Sequence, residues 1–277
     1  MIHLRSFAAD ADLLALTQAL WKHKIPHRVR QINGEQQLWL QDANQVEAAS
    51  VLCAPESSLI GDQQVSEPLL VKFKRWFVRA PVTGLVLVLI LIVALVTQLG
   101  ELLASVAVFT FYPMLFDTQI YLVTGFDHLW QQPWRLITPV LLHFGWLHLT
   151  FNSLWWLDLG RRIEHQSRWL LLVLLVATGV AGNLAQAWQE ASLFGGLSGV
   201  IYGLLGYMWV MDRFNRPKYH LPQAILVFML LWLLLGLTDV FALVGFGAMA
   251  NMAHLGGLLA GIVAGLLHSF WNHKTRK

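Results

Sequence analysis

Ala250-Asn-Met-Ala-His254-Leu-Gly-Gly257-Leu-Leu-Ala-Gly261-Ile-Val-Ala-Gly265-Leu-Leu-His-Ser-Phe-Trp271 contains no Asp, Glu, Lys or Arg. A run of about 20 mostly apolar residues is what an α-helix needs to cross roughly 30 Å of hydrocarbon. Gly257, Gly261 and Gly265 recur at every fourth position. In a helix that spacing makes a flat stripe, against which a second backbone can pack closely. His254 lies three residues before Gly257 and so shares the face of the stripe. The segment predicts a membrane helix with a close-packed partner and one imidazole near its start.

The partner is legible upstream. Gly195, Gly199 and Gly203 repeat the spacing, and Ser198 sits beside them. Further apolar runs extend the pattern to six expected spans: Val82–Leu102, Trp146–Arg162, Trp169–Trp188, Leu197–Met211, Leu221–Thr238 and Ala250–Trp271. Over the whole chain of 277 residues, 56% are hydrophobic and 13% charged. An ordinary soluble domain is about 25% charged. The composition excludes a disordered chain, and the single Cys53 excludes a disulfide scaffold. Cys53 reads as a reduced, inert residue.

A net charge of +3 could suggest nucleic acid, but the placement of the charges argues otherwise. Lys72, Lys74, Arg75 and Arg79 precede the first span. Arg161, Arg162 and Arg168 lie between spans two and three, and Arg213, Arg216 and Lys218 between four and five. Lys274, Arg276 and Lys277 follow the last. Thirteen of the nineteen basic residues therefore fall on one side, and only Arg135 falls on the other. The positive-inside rule then puts both termini in the cytoplasm with six crossings. The basic balance reads as topology, and no nucleic-acid partner is expected. The first long apolar run begins past residue 80, so no cleavable signal peptide is expected.

Residues 1–54 read as a small α+β domain. Ile2–Phe7 is an expected strand, and Asp10 or Asp12 can cap a helix running to about His23. His27–Ile32 and Gln36–Gln41 flank Asn33-Gly34, a hairpin turn signal, and Gln45–Leu52 reads as a second helix. A linker and basic juxtamembrane segment (55–80), the helical domain (81–272) and a basic tail (273–277) complete the organisation. The aromatic-rich stretch from Ala104 to Leu142 is expected to lie at the outer membrane interface. Asp158, Glu164 and Asp212, toward the cytoplasmic ends, are expected to be solvated or paired with nearby Arg.

Spans two, four and six run in the same direction, so their N-terminal ends share one depth. His148 and Asn152, Ser198, and His254 lie near those ends. Polar groups in a bilayer are costly and therefore candidates for function. If the two glycine stripes pack together, Ser198 and His254 come within hydrogen-bond reach, as a nucleophile and its base must. His148 and Asn152, four residues apart, project from one face and suit an oxyanion, together with the Ser198 backbone N–H. Each feature alone has a plainer meaning: a serine beside glycines usually packs, and a histidine at a helix end usually faces the interface. His143 and His148 are five apart, a poor spacing for one metal, and no HExxH is present; no metal and no cofactor are expected.

Taken together, His143-Phe-Gly-Trp-Leu-His148-Leu-Thr-Phe-Asn152, Gly196-Leu-Ser198-Gly199 and Ala253-His254-Leu-Gly-Gly257 resemble the rhomboid family of intramembrane serine proteases. Trp134-Arg135 matches the family's outer-loop motif. The resemblance implies a bacterial inner-membrane, α-helical polytopic protein: a six-transmembrane-helix rhomboid bundle with a small N-terminal α+β cytoplasmic domain. It implies a Ser198–His254 dyad with no third acid, and oxyanion donors His148 and Asn152. It also implies that Tyr202 packs on the catalytic imidazole, and that Gly199, Gly257 and Gly261 carry the helix packing. Expected partners are the lipid bilayer and membrane-anchored protein substrates, cut in or beside their transmembrane segments. The competing reading is a non-catalytic rhomboid-like protein that binds or escorts membrane helices; such relatives typically lack the Ser or the His, and both are present here.

Overall fold

The computed structural model describes residues 1–53, 77–215, 218–238, 240 and 249–274. The expected linker over 55–68, Lys72, Lys74, Arg75, Arg216, Arg276 and Lys277 lie outside the described residues. The chain divides into two units, residues 1–72 and 73–277.

In the first unit, β1 (Ile2–Ala8), α1 (Leu14–Lys22), β2 (His27–Ile32), β3 (Glu35–Leu40) and α2 (Val46–Leu52) follow the βαββα order. Asp12 accepts from the Leu14 amide at the start of α1. The sheet order is β1-β3-β2, antiparallel throughout. Asn33 and Gly34, both at positive φ, make the tight turn joining β2 to β3. Alternation along β3 sends Leu38 and Leu40 to the same face, where they bury with Leu20, Ile25 and Ala49. The Cys53 thiol is pushed above its ordinary value, chiefly by burial, which disfavours the thiolate.

The second unit is helical. Its helices are α3 (Pro81–Val96), α4 (Leu103–Phe109), α5 (Trp146–Trp155), α6 (Arg168–Gln189), α7 (Ser198–Phe214), α8 (Gln223–Gly236) and α9 (Asn251–Lys274). Helix α5 runs on through a wide π turn, Trp156–Gly160, into a last turn, Arg161–Glu164. Among the described residues, Arg168–Gln189 and Asn251–Trp271 are both long and apolar enough to cross a membrane; Pro81–Val96 and Gln223–Gly236 are apolar but shorter.

The first expected span is shorter than its apolar run. It stops at Val96, where Gln98, Leu99 and Gly100 all take positive φ and turn the chain. A Cβ at Gly100 would collide with the Phe144 ring. At its other end α3 is capped by Glu164, whose carboxylate accepts from the Val82 and Thr83 amides at 2.7 and 2.8 Å and from Thr83 Oγ1 at 2.6 Å. Glu164 is therefore not solvated, and among the described residues no Arg pairs with it. The unpaired N–H groups and positive dipole end of α3 hold the buried charge instead. Asp212 likewise accepts from the Lys218, Tyr219 and Leu221 amides. Asp158 pairs with Arg162 at 3.1 Å.

Helix α7 is buried on nearly every side from Gly199 to Met211, the signature of a helix at the centre of a bundle. Its closest neighbour is α9. A Cβ on Gly257 would strike the Gly199 carbonyl, and one on Gly261 the Gly203 carbonyl. The two backbones therefore meet with no side chain between them. Gly195 departs from the expected stripe: it precedes α7 and instead packs against Leu142 and the Pro139 carbonyl. Gly206 takes its place in the seam, with its Cβ position 2.7 Å from the Leu258 carbonyl.

The segment between α3 and α5 is more structured than a plain loop. After α4 it forms a hairpin of β4 (Met114–Phe116) and β5 (Ile120–Leu122), followed by short 3-10 turns. Arg135 is buried beneath it, with Nη1 donating to the Ala107 carbonyl at 2.9 Å and the Thr110 carbonyl at 2.6 Å. Phe111 and Tyr112 are buried, whereas Phe116, Tyr121 and Trp130 point outward.

Candidate active site

Ser198 is the first residue of α7. The seam with α9 brings its Oγ to 2.7 Å from His254 Nε2. His254 is 3% exposed, and no partner for its Nδ1 occurs among the described residues. Its ring is held by packing rather than by an acid. The Tyr202 ring lies one turn along α7 from Ser198, with its centroid 5.0 Å from that of the imidazole. Tyr202 is itself fixed by its hydroxyl, which donates to the Met229 carbonyl of α8 at 2.8 Å.

The start of α9 has a further anchor that the sequence reading did not find. Gln186, near the end of α6, accepts from the Met252 and Ala253 amides at 3.1 and 3.4 Å. This amide caps the first turn of α9 and so fixes the residue that follows, His254. The only signal in the sequence was a polar residue closing an apolar run. Gly182 of α6 completes the support, since its missing side chain leaves room for the Ala253 carbonyl.

His148 and Asn152 of α5 flank the residue pair just before Ser198. Gly196 has φ +120°, a left-handed conformation that L side chains rarely adopt. A Cβ there would lie 2.6 Å from His148 Nε2 and 3.7 Å from Asn152 Nδ2. Gly196 thus serves both the turn into α7 and the close approach of the imidazole. His148 Nδ1 accepts from the Phe144 amide at 3.4 Å, which leaves Nε2 as the protonated donor of a neutral ring. Asn152 Nδ2 donates to the His148 carbonyl at 3.0 Å, so one of its two amide hydrogens stays available.

His143 is fully buried, with Nδ1 donating to the Leu141 carbonyl at 3.2 Å and its ring centroid 5.0 Å from that of His148. Among the described residues, no three His, Cys, Asp or Glu side chains converge as metal ligands. Ser198, His254, His148, Asn152 and Tyr202 all line one cavity of about 420 Å³. On one wall, Phe151 of α5 meets Trp232 of α8 at 5.6 Å between centroids, and Trp155 meets Phe228 at 6.0 Å. The arrangement offers a hydroxyl with an adjacent base, two side-chain donors beside it, and the unpaired amides of a helix start.

A model of the rhomboid domain matches residues 130–270, and one of the rhomboid N-terminal domain matches residues 1–57. The chain is similar to the rhomboid protease GlpG of Serratia proteamaculans, with 40% identity over 147 residues, 52% of this chain and 50% of that protein. It is 38% identical to the protein of the same name from Pectobacterium atrosepticum over 143 residues, 51% and 49% of the two chains. With that from Photorhabdus laumondii it shares 35% over 177 residues, 62% and 60% of the two chains. The matched region spans about half the length of most of these relatives.

Proposed function

The chain belongs to the rhomboid family, and from that premise we propose that it is an intramembrane serine protease using Ser198 as nucleophile and His254 as base. The observation that carries this reading is the 2.7 Å approach of Ser198 Oγ to His254 Nε2 inside a cavity flanked by His148 and Asn152. His254 takes the Ser198 proton as Oγ attacks the scissile carbonyl. The oxyanion is held by His148 Nε2–H, the free amide hydrogen of Asn152 and the Ser198 backbone N–H. The imidazolium then protonates the leaving amine. Water, activated by the same imidazole, hydrolyses the acyl-enzyme and restores the serine.

In this reading the six helices α3 and α5–α9 all cross a bacterial inner membrane, with both termini in the cytoplasm. The sidedness of the basic residues supports it. The active site then faces the outer side, where water can reach the cavity. Substrates are membrane-anchored proteins, entering sideways between α5 and α8 past Phe228 and Trp232, and unwinding locally to expose the peptide bond. No cofactor takes part.

Purified Ser198→Ala should bind a model transmembrane substrate and leave it uncut. Cleavage by that variant at the wild-type rate would refute the assignment. A non-catalytic escort protein would bind the same substrate and cut it in neither form.

A further inference from the structure

The wall of the cavity is aromatic, aliphatic or neutral and polar, with one exception. Among its described lining residues the only carboxylate is Glu190, and no Lys or Arg lines it. Fold stability does not account for this residue. Glu190 terminates α6 in extended backbone (φ −154°, ψ 134°), its own amide donating to the Gln186 carbonyl at 3.1 Å. The C-terminus of a helix carries partial negative charge, so a carboxylate there is at the unfavourable end. The side chain is exposed, and among the described residues no basic group pairs with it. The one basic residue assigned to the outer side, Arg135, is buried and donates to the Ala107 and Thr110 carbonyls, so it is not available to Glu190. A locally unfavourable choice on the wall of a site is where a fold gives up stability for function.

We propose that Glu190 is a specificity-determining residue, which selects substrates carrying a Lys or Arg in the segment that occupies the cavity. The inference rests on the protease reading and deepens it by naming a substrate class: membrane-anchored proteins with a basic side chain close to the scissile bond. A cation brought beside Glu190 finds a carboxylate for which no basic group among the described residues competes. The pair is exposed, so the expected preference is modest, about two- to fivefold in kcat/KM.

The test uses full-length enzyme in liposomes and one model transmembrane substrate. Single Lys residues are placed at successive positions on either side of the scissile bond, with Gln, and separately Glu, at the same positions as references. For wild type, one position should favour Lys over Gln about two- to fivefold, and the preference should shrink as salt rises. Glu190→Gln should bring the Lys-to-Gln ratio to about one at that position. Glu190→Lys should reverse it, favouring substrate Glu over substrate Lys. A wild-type ratio near one at every position, or a Lys preference that survives Glu190→Gln, would overturn the proposal. Wild-type cleavage of the Gln reference separates the two readings: if it occurs, the protease stands whatever the ratios. If wild type cuts no substrate, both readings fall together.

Discussion

Two helix pairs within the same unit are held together in opposite ways. Helices α7 and α9 meet backbone to backbone along Gly199–Gly257 and Gly203–Gly261, with α7 buried almost all round. Helices α8 and α5 meet through large rings, Trp232 on Phe151 and Phe228 on Trp155. Only Met229, Leu233 and Gly236 of α8 are buried, while Val227, Leu231 and Leu234 point outward. A glycine seam has no rotamers to rearrange, so it holds two side chains at fixed separation. A ring contact can part by turning two χ angles. The proposed chemistry needs the first property between Ser198 and His254, and sideways entry of a substrate needs the second. Placing reacting groups on rigid elements and access on yielding ones is the arrangement that pre-organised sites require.

The largest effect is expected from breaking the seam. Gly257→Leu puts a side chain where the Gly199 carbonyl already sits, and neither backbone can yield without moving Ser198 from His254. Activity should fall below detection, and the midpoint of thermal unfolding in detergent should drop. Overpacking of this kind costs about 1–3 kcal/mol even where a core can adjust. Wild-type activity in Gly257→Leu would mean that the seam does not set the geometry.

The next effect comes from the base itself. His254 must take the serine proton and later return it to the leaving group, work that a positioned acid-base group ordinarily contributes at about 10²- to 10⁴-fold. Turnover measured in the same liposomes should therefore fall about a hundredfold or more in His254→Ala. Turnover within about tenfold of wild type would argue against His254 as base.

The smallest effect belongs to the other pair. Phe228→Ala with Trp232→Ala removes rings from a partly exposed contact and leaves α7 and α9 untouched. Stability should fall by less than the roughly 3–5 kcal/mol that one large ring costs in a packed core, because Phe228 is exposed and Trp232 only half-buried. Turnover of a transmembrane substrate should hold or rise severalfold. A collapse of activity for small soluble peptides as well would show that α8 supports the site rather than access to it.

Much of the seam and its neighbourhood was legible in the residue order, because helical periodicity converts spacing into geometry. Four-residue spacing predicted that Gly257 and Gly261 share a face, and it set His148 beside Asn152. Asn33-Gly34 marked the hairpin of the N-terminal unit for the same kind of reason, since few residues tolerate the φ that turn needs. What escaped was set by contacts far apart in the chain. Hydropathy carries the first span on to Leu102, but the helix ends at Val96, where the chain turns at Gln98–Gly100 beside Phe144. Glu164 reads from the sequence as solvated or paired with an Arg because its partners, the amides of Val82 and Thr83, are about eighty residues away. Gly195 continued the spacing of the stripe but lies outside the helix, since the positive φ of Gly196 starts a turn that no periodicity announces. Gln186 shows in the sequence only as a polar residue closing an apolar run, because a cap is recognised only once the helix it caps has been placed.

The central claim is that Ser198 is a nucleophile made reactive by His254. A fluorophosphonate probe, which reacts with activated serine hydroxyls, tests it without a substrate. Wild type in detergent or liposomes should gain one covalent adduct, mapped by mass spectrometry to Ser198, and His254→Ala should gain none while remaining folded. Absence of the adduct from folded wild type, or equal labelling of His254→Ala, would contradict the account.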